Sequence, residues 1–120
     1  MVGHAADVYD PQTVRASQGS LFALPVVRAE SPEELEPRLD GLRVVGTSAR
    51  GDTAIDEVDL RAATALVLGN ETKGLSWAWR ERADALVRIP QHGSASSLNL
   101  AAAAAILLYE ADRQRRFPTA

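Results

Sequence analysis

Three short stretches, each directly after an apolar run, hold most of the residues that could do chemistry. Gly46-Thr47-Ser48-Ala49-Arg50-Gly51 is small and polar, suited to the close approach of a ligand and to hydrogen bonding through the backbone, although a plain surface turn would read the same way. Gly69-Asn70-Glu71-Thr72-Lys73-Gly74-Leu75-Ser76 looks at first like a phosphate loop. It fails as one, because that motif needs Gly-Lys-Ser/Thr as consecutive residues at a helix start, whereas Lys73 precedes Gly74 and Leu75 intervenes. Glu71 would also repel phosphate. Two glycines flanking an Asn-Glu pair describe a backbone that comes close to something neutral or cationic, with a carboxylate aimed at it; a merely solvated Glu71 is the plainer alternative. The third stretch runs from Ile89 through Pro90, Gln91, His92 and a serine-rich turn to Ser97-Leu98-Asn99. His92 beside serines suggests a hydrolase, yet no Gly-x-Ser-x-Gly elbow is present. Serines and Asn99 at the mouth of a helix can cap it, or can bind a polar ligand there, because first-turn amides are unpaired.

The chain that must position these stretches has 120 residues, 46% of them hydrophobic and 24% charged, which fits one globular domain spanning 1–120. Cysteine is absent and only His4 and His92 represent histidine, so disulfides, thiolate nucleophiles and Cys- or His-built metal sites are excluded. No metal is expected. The run from Leu98 to Tyr109 is about half of the ~20 residues a membrane span requires, and the N-terminus has no signal-like pattern. A cytoplasmic protein is the expectation. A formal net charge of -3 means that any nucleic acid would have to be gripped by a local basic surface, a second copy or a further domain.

Periodicity predicts a helix over Gln12 to Leu21 and a strand-like Ala23 to Val27. Ser31-Pro32-Glu33-Glu34 reads as a capping box opening a short helix to about Leu39, stopped by Gly41. Leu42 to Thr47, Ala65 to Gly69 and Ala85 to Ile89 read as strands, the first two apolar enough for burial on both faces of a parallel sheet. Ser48 to Thr64 is polar and too short for a helix. Ser76 caps a helix through about Ala83, and Ser97 to about Arg115 is the strongest helix, with Arg113, Arg115 and Arg116 at the negative end of its dipole. Strands alternating with helices predict an α/β fold, a parallel sheet flanked by helices. Ligands in such sheets sit beyond the carboxyl ends of strands, where all three stretches fall.

Taken together, two of these loops form a longer pattern. Leu-Val-Leu-Gly-Asn-Glu-x-x-Gly-Leu-Ser, then Ile-Pro some twenty residues on, then Ser-Leu-Asn opening an Ala-rich helix that ends Leu-Tyr-Glu-Ala-x-Arg-Gln-Arg, resembles the SpoU family of RNA ribose 2'-O-methyltransferases, in the SPOUT superfamily. Asp10-Pro11 and Val14-Arg15-Ala16-Ser17-x-Gly19-Ser20-Leu21-Phe22 resemble an earlier segment of the same family, so the likeness covers nearly the whole chain. The resemblance implies a carboxyl-terminal trefoil knot, although chains are otherwise unthreaded. It implies S-adenosylmethionine as cofactor, held near Thr47, Leu68, Gly69, Ile89 and Leu98. It gives Glu71, Ser97 and Asn99 as catalytic positions that orient substrate, a family Arg or the methionine moiety. RNA, ribosomal or transfer, is the implied substrate and a homodimer the implied assembly, with the Ala101 to Leu108 helix, Trp77 and Trp79 as material for an interface. Trp77 and Trp79 lie two apart on a helix, so they cannot share a face.

The family's catalytic domain begins with a strand and helix carrying an Asn and the Arg credited with activating the ribose hydroxyl. Arg15 belongs to the later segment and does not match that Arg. The 120 residues are therefore expected to be the carboxyl-terminal part of such an enzyme, with the first strand-helix unit missing and transfer by this piece impaired. The competing class is a non-catalytic cofactor-binding or dimerisation remnant. A nucleotide-binding regulator using the Gly-rich loop is weaker, because the phosphate motif fails.

Overall fold

A computed structural model describes residues 1–3, 7–70, 73–94 and 98–118. The chain divides into two compact units, Met1–Arg38 and Leu39–Ala120.

In the first unit, helix α1 spans Pro11–Ala16. Asp10 caps it, its Oδ1 accepting from the Gln12 amide at 2.9 Å, and proline at the first helical position loses no hydrogen bond there. The helix expected to reach Leu21 stops early, because Gln18 and Gly19 both take positive φ, 51° and 85°. A 3-10 turn at Ser20–Ala23 follows. The strand expected over Ala23 to Val27 does not form. Pro25 has no amide to give to a ladder, Leu24 and Val27 are exposed, and the pairing nearby is a single parallel bridge between Val2 and Ala29. The capping box also departs from expectation: Ser31 makes no cap bond, while Glu34 Oε2 accepts from the amide of Glu30. Pro32–Leu35 is a 3-10 turn that leads into α2, Glu36–Leu39.

The second unit holds a four-stranded parallel sheet of β1 (Arg43–Thr47), β2 (Thr53–Ala54), β3 (Thr64–Val67) and β4 (Ala85–Arg88), in the order β2-β4-β1-β3. The predicted parallel α/β architecture is present. β1 is paired on both sides, Val45 with Leu66 of β3 and with Ala85 of β4, which is why Val44, Val45 and Gly46 are all buried. Asp84 sets where β4 begins: its Oδ2 accepts from the Val44 amide at 2.7 Å and its own amide donates to Val44 O.

Side chains alternate across the sheet. On one face Val45 and Val87 pack with Ile55, Val58, Leu60, Leu107 and Ala111, the last two from helix α4 (Leu100–Arg116). On the other, a Cβ at Gly46 would run into the Leu75 and Leu86 side chains and touch Ala83, so glycine lets the segment around α3 (Trp77–Arg82) lie close to β1. Ser76 caps α3 as expected, accepting from the Trp79 amide. Trp79 is buried at 8% exposure and Trp77 stands out at 74%.

The polar stretch from Ser48 to Thr64 contributes more than its composition suggests. It supplies β2, a 3-10 turn at Ile55–Glu57 and three core residues, Ile55, Val58 and Leu60. Gln114 near the end of α4 is clamped to it, Oε1 accepting from the Leu60 amide and Nε2 donating to Val58 O, while Arg115 reaches the carbonyls of Leu60 and Ala62. Among the described residues no helix is long and apolar enough to cross a membrane.

Candidate functional site

The loop that leaves β1 is held down by β4, so it is more than a surface turn. The Ser48 amide donates to Val87 O at 2.9 Å, and the Arg88 guanidinium donates to the carbonyls of Gly51 and Asp52, both at 3.0 Å. A Cβ at Gly51 would collide with the backbone of Val87 and Arg88, which requires glycine at that crossing. Thr47 Oγ1 donates to Val67 O, tying the carboxyl end of β1 to that of β3.

The loop that leaves β3 folds back on itself. Asn70 and Gly74 exchange two backbone hydrogen bonds, of 3.0 and 2.7 Å, and Gly74 takes a φ of 69°. Gly69 is needed for that closure, since a Cβ there would strike the backbone of Gly74 and Leu75. Asn70 Oδ1 accepts from the Lys73 amide across the same turn.

The third element is the start of α4. The helix expected from Ser97 begins at Leu100, with Asn99 as its cap: Asn99 Oδ1 accepts from the amides of Ala101 at 2.9 Å and Ala102 at 3.2 Å. Two of the unpaired first-turn donors are thereby satisfied from within the chain.

These three elements enclose a cavity of about 190 Å³ at the carboxyl end of the sheet. Thr47, Leu68, Gly69, Ile89 and Leu98, the five positions expected around a cofactor, all line it. Its remaining walls come from Ser48, Ala49, Asn70, Gly74, Val87, Gln91, Leu100 and Ala103. Leu100 and Ala103 escaped the sequence reading, although their spacing puts them on one face of the first turn of α4. Asn99 stands at the cavity's edge as the helix cap. Glu71 and Ser97 lie outside the described residues. His92 is exposed and does not line the cavity.

No described lining residue is titratable, so the walls offer carbonyls, amides, hydroxyls and apolar surface rather than charge. The perturbed groups lie elsewhere. Asp59 is held well below the usual carboxylate range by the Arg61 guanidinium and amide, and Glu110 is lowered by its hydrogen bonds to Arg113, against the opposing effect of burial. Neither residue borders the cavity.

The chain was compared with known proteins. A profile described as the SpoU rRNA Methylase family matches residues 1–109. The 23S rRNA (uridine(2479)-2'-O)-methyltransferase of Streptomyces viridochromogenes is 52% identical over 122 residues, covering 96% of this chain and 42% of that protein. The 23S rRNA (guanosine(2553)-2'-O)-methyltransferase RlmP of Bacillus subtilis is 39% identical over 105 residues, 87% of this chain and 42% of that one. This chain thus spans under half the length of these relatives. Among solved structures, the SpoU methyltransferase AviRb of S. viridochromogenes in complex with AdoMet superposes with a TM-score of 0.89 at 52% identity, covering 97% of this chain and 49% of that one. An AdoMet-bound rRNA methyltransferase from Sinorhizobium meliloti gives 0.87 at 41% identity, covering 94% and 44%. With the profile running through α1, the sheet and most of α4, the chain belongs to the SpoU rRNA Methylase family.

Proposed function

We propose that this chain is the cofactor-binding part of an S-adenosylmethionine-dependent RNA ribose 2'-O-methyltransferase, with residues 1–120 belonging to one such domain. The observation that carries the reading is the convergence of Thr47, Leu68, Gly69, Ile89 and Leu98 on one cavity at the carboxyl end of a parallel sheet. That is where such sheets bind ligands. Leu68, Val87, Ile89 and Leu98 suit the faces of a purine, while Thr47, Ser48, Asn70 and Gln91 offer polar partners to a ribose. About 190 Å³ is below the 300–1,000 Å³ of usual small-molecule sites and suits the adenosine part of the cofactor alone. The remainder would be held by the neighbouring turns that carry Glu71 and Ser97.

When bound, the cofactor supplies a methyl group on a cationic sulfur. The chain's own task is to position that group and a ribose hydroxyl and to handle the hydroxyl's proton. A 2'-hydroxyl is a weak nucleophile near neutral pH, so a proton acceptor or an orienting group is required. Glu71 is the acidic candidate. Asn99 Oδ1 is engaged by two helix amides, so what Asn99 offers a ligand is its amide nitrogen as donor. Alone, these 120 residues are expected to transfer methyl groups weakly, because they hold no match to the family Arg.

The two 23S rRNA enzymes among the relatives favour ribosomal over transfer RNA as the substrate and a cytoplasmic setting. A carboxyl-terminal trefoil knot and a homodimer are part of the proposal. The exposed Ile106, Leu108 and Tyr109 on α4, next to exposed alanines, support an interface between two copies. Calorimetric titration with S-adenosylmethionine should give one site per chain, weakened by substitution of Gly69 or Leu98, and tritiated cofactor should label RNA at ribose 2'-oxygens. Absence of cofactor binding would sink the proposal. Binding without any labelling, even when the chain is part of a longer protein, would favour the non-catalytic remnant.

A further inference from the structure

Trp77 has no counterpart in the site described so far. It sits in the first turn of α3 at 74% exposure, whereas Trp79 on the same helix is buried at 8%. Indole is the largest apolar side chain available to a protein, and leaving it in water needs a partner to make it worthwhile. Its surroundings indicate which kind. Trp77 is three residues beyond Gly74, a wall of the cavity, hence within about 11 Å of it even along a fully extended chain. Arg80, one helical turn on, shares the surface of α3 with Trp77. Its Nε donates to Leu75 O at 3.1 Å, and its terminal nitrogen lies 3.9 Å from where a Cβ on Gly74 would stand, so the guanidinium is fixed against the same wall.

Charge points the same way. The chain as a whole is at -3, yet Lys73 to Arg82 carries Lys73, Arg80 and Arg82 against Glu81 alone. Other arginines are occupied: Arg61, Arg113 and Arg116 pair with Asp59, Glu110 and Asp112. An exposed indole flanked by cations, beside the cavity, has the two parts that single-stranded RNA binding uses, a flat face for an unstacked base and positive charge for its phosphate.

We infer that Trp77, with Arg80 and Lys73, holds one unpaired RNA nucleotide next to the cavity, the base stacked on the indole and the phosphate at the cations. This inference rests on the methyltransferase reading and adds to it where the substrate strand enters. The test uses the full chain and a single-stranded, end-labelled uridine dodecamer, read by anisotropy, beside calorimetry with S-adenosylmethionine. Trp77→Ala should weaken dodecamer binding about 5- to 100-fold, the range for loss of one stacked base. Trp77→Phe should recover most of that loss, and cofactor affinity should stay within twofold in both. The dodecamer should also quench the wild-type indole emission, and a duplex of equal length should not. Unchanged dodecamer affinity in Trp77→Ala overturns the inference, as does a wild-type chain that binds cofactor but not the dodecamer. A drop in sedimentation mass in Trp77→Ala overturns it too, by making the indole a contact between copies. Failure of the wild type to bind cofactor would instead strike the methyltransferase reading itself.

Discussion

Asn99 carries two assignments that one pair of substitutions can separate. Its Oδ1 accepts from Ala101 and Ala102 at 2.9 and 3.2 Å, which caps a helix of 17 residues whose later turns supply Leu107 and Ala111 to the core. Removing such a cap costs about 0.5–2 kcal/mol. At roughly 4 °C per kcal/mol for a domain of this size, Asn99→Ala should lower Tm by about 2–8 °C. Asn99→Asp keeps an acceptor in the same place and adds a negative charge at the positive end of the helix dipole, worth about 0.3–1 kcal/mol in the stabilising direction. It removes the amide nitrogen, however, which is the part left for substrate or cofactor. The expected pattern is therefore a crossed one. The alanine variant loses stability and activity, while the aspartate variant matches or exceeds wild-type Tm by scanning calorimetry and loses about tenfold or more in methyl transfer per bound cofactor, equivalent to about 1.4 kcal/mol or more of transition-state binding. Transfer by Asn99→Asp at the wild-type rate would refute the donor role and leave Asn99 a helix cap alone.

Gly69→Ala should lower both stability, by about 1–3 kcal/mol, and cofactor affinity, because the added methyl collides with the Gly74 and Leu75 backbone; normal urea unfolding with normal calorimetric affinity would show that the turn can shift aside. Leu107→Ala removes a fully buried side chain from between the sheet and α4 and should cost about 2–5 kcal/mol, measured as a lower urea midpoint with an unchanged slope. Glu110 has its folded pKa depressed by Arg113, so its contribution to stability is present in full above its ordinary value of 4.5 and is lost as pH falls below that value through the folded pKa. Wild type and Glu110→Gln should accordingly converge in Tm as pH is taken down from 6 towards 3, and a constant gap between them would refute the linkage.

Elements whose residues carry both the signal and the burial were legible in the sequence. β1, β3 and β4 announce themselves as apolar runs because a parallel sheet buries both faces, and α4 does so through its alanines. Where pairing depends on distant partners, the reading failed. Ala23 to Val27 has strand composition, but Pro25 and the lack of a neighbour leave it unpaired, while the two residues of β2 pair with Val87 and Arg88 despite a polar setting. Ile55, Val58 and Leu60 were visible as isolated apolar residues, yet no local rule says that α4 will arrive to cover them. The cavity was legible to an unusual degree, since its position follows from strand direction alone. The geometric reason for Gly69 was not: the sequence suggested room for a ligand, and the structure uses that glycine to let the loop close on itself.

The clamp between α4 and the segment after β2 sets a schedule for folding. The Leu60 amide finds its acceptor on Gln114, 54 residues further along the chain. At a synthesis rate of about 5–20 residues per second, roughly 3–11 s pass between the appearance of the two partners. During that interval the sheet face formed by Val45 and Val87 waits without Leu107 or Ala111 to cover it. Contacts this distant in sequence also slow folding from the denatured state, because the intervening loop must close before they contribute. The nascent chain is therefore most open to misassociation and to chaperone capture while α4 is still being made, and substitutions in that helix should show first as lower yield of folded protein in the cell.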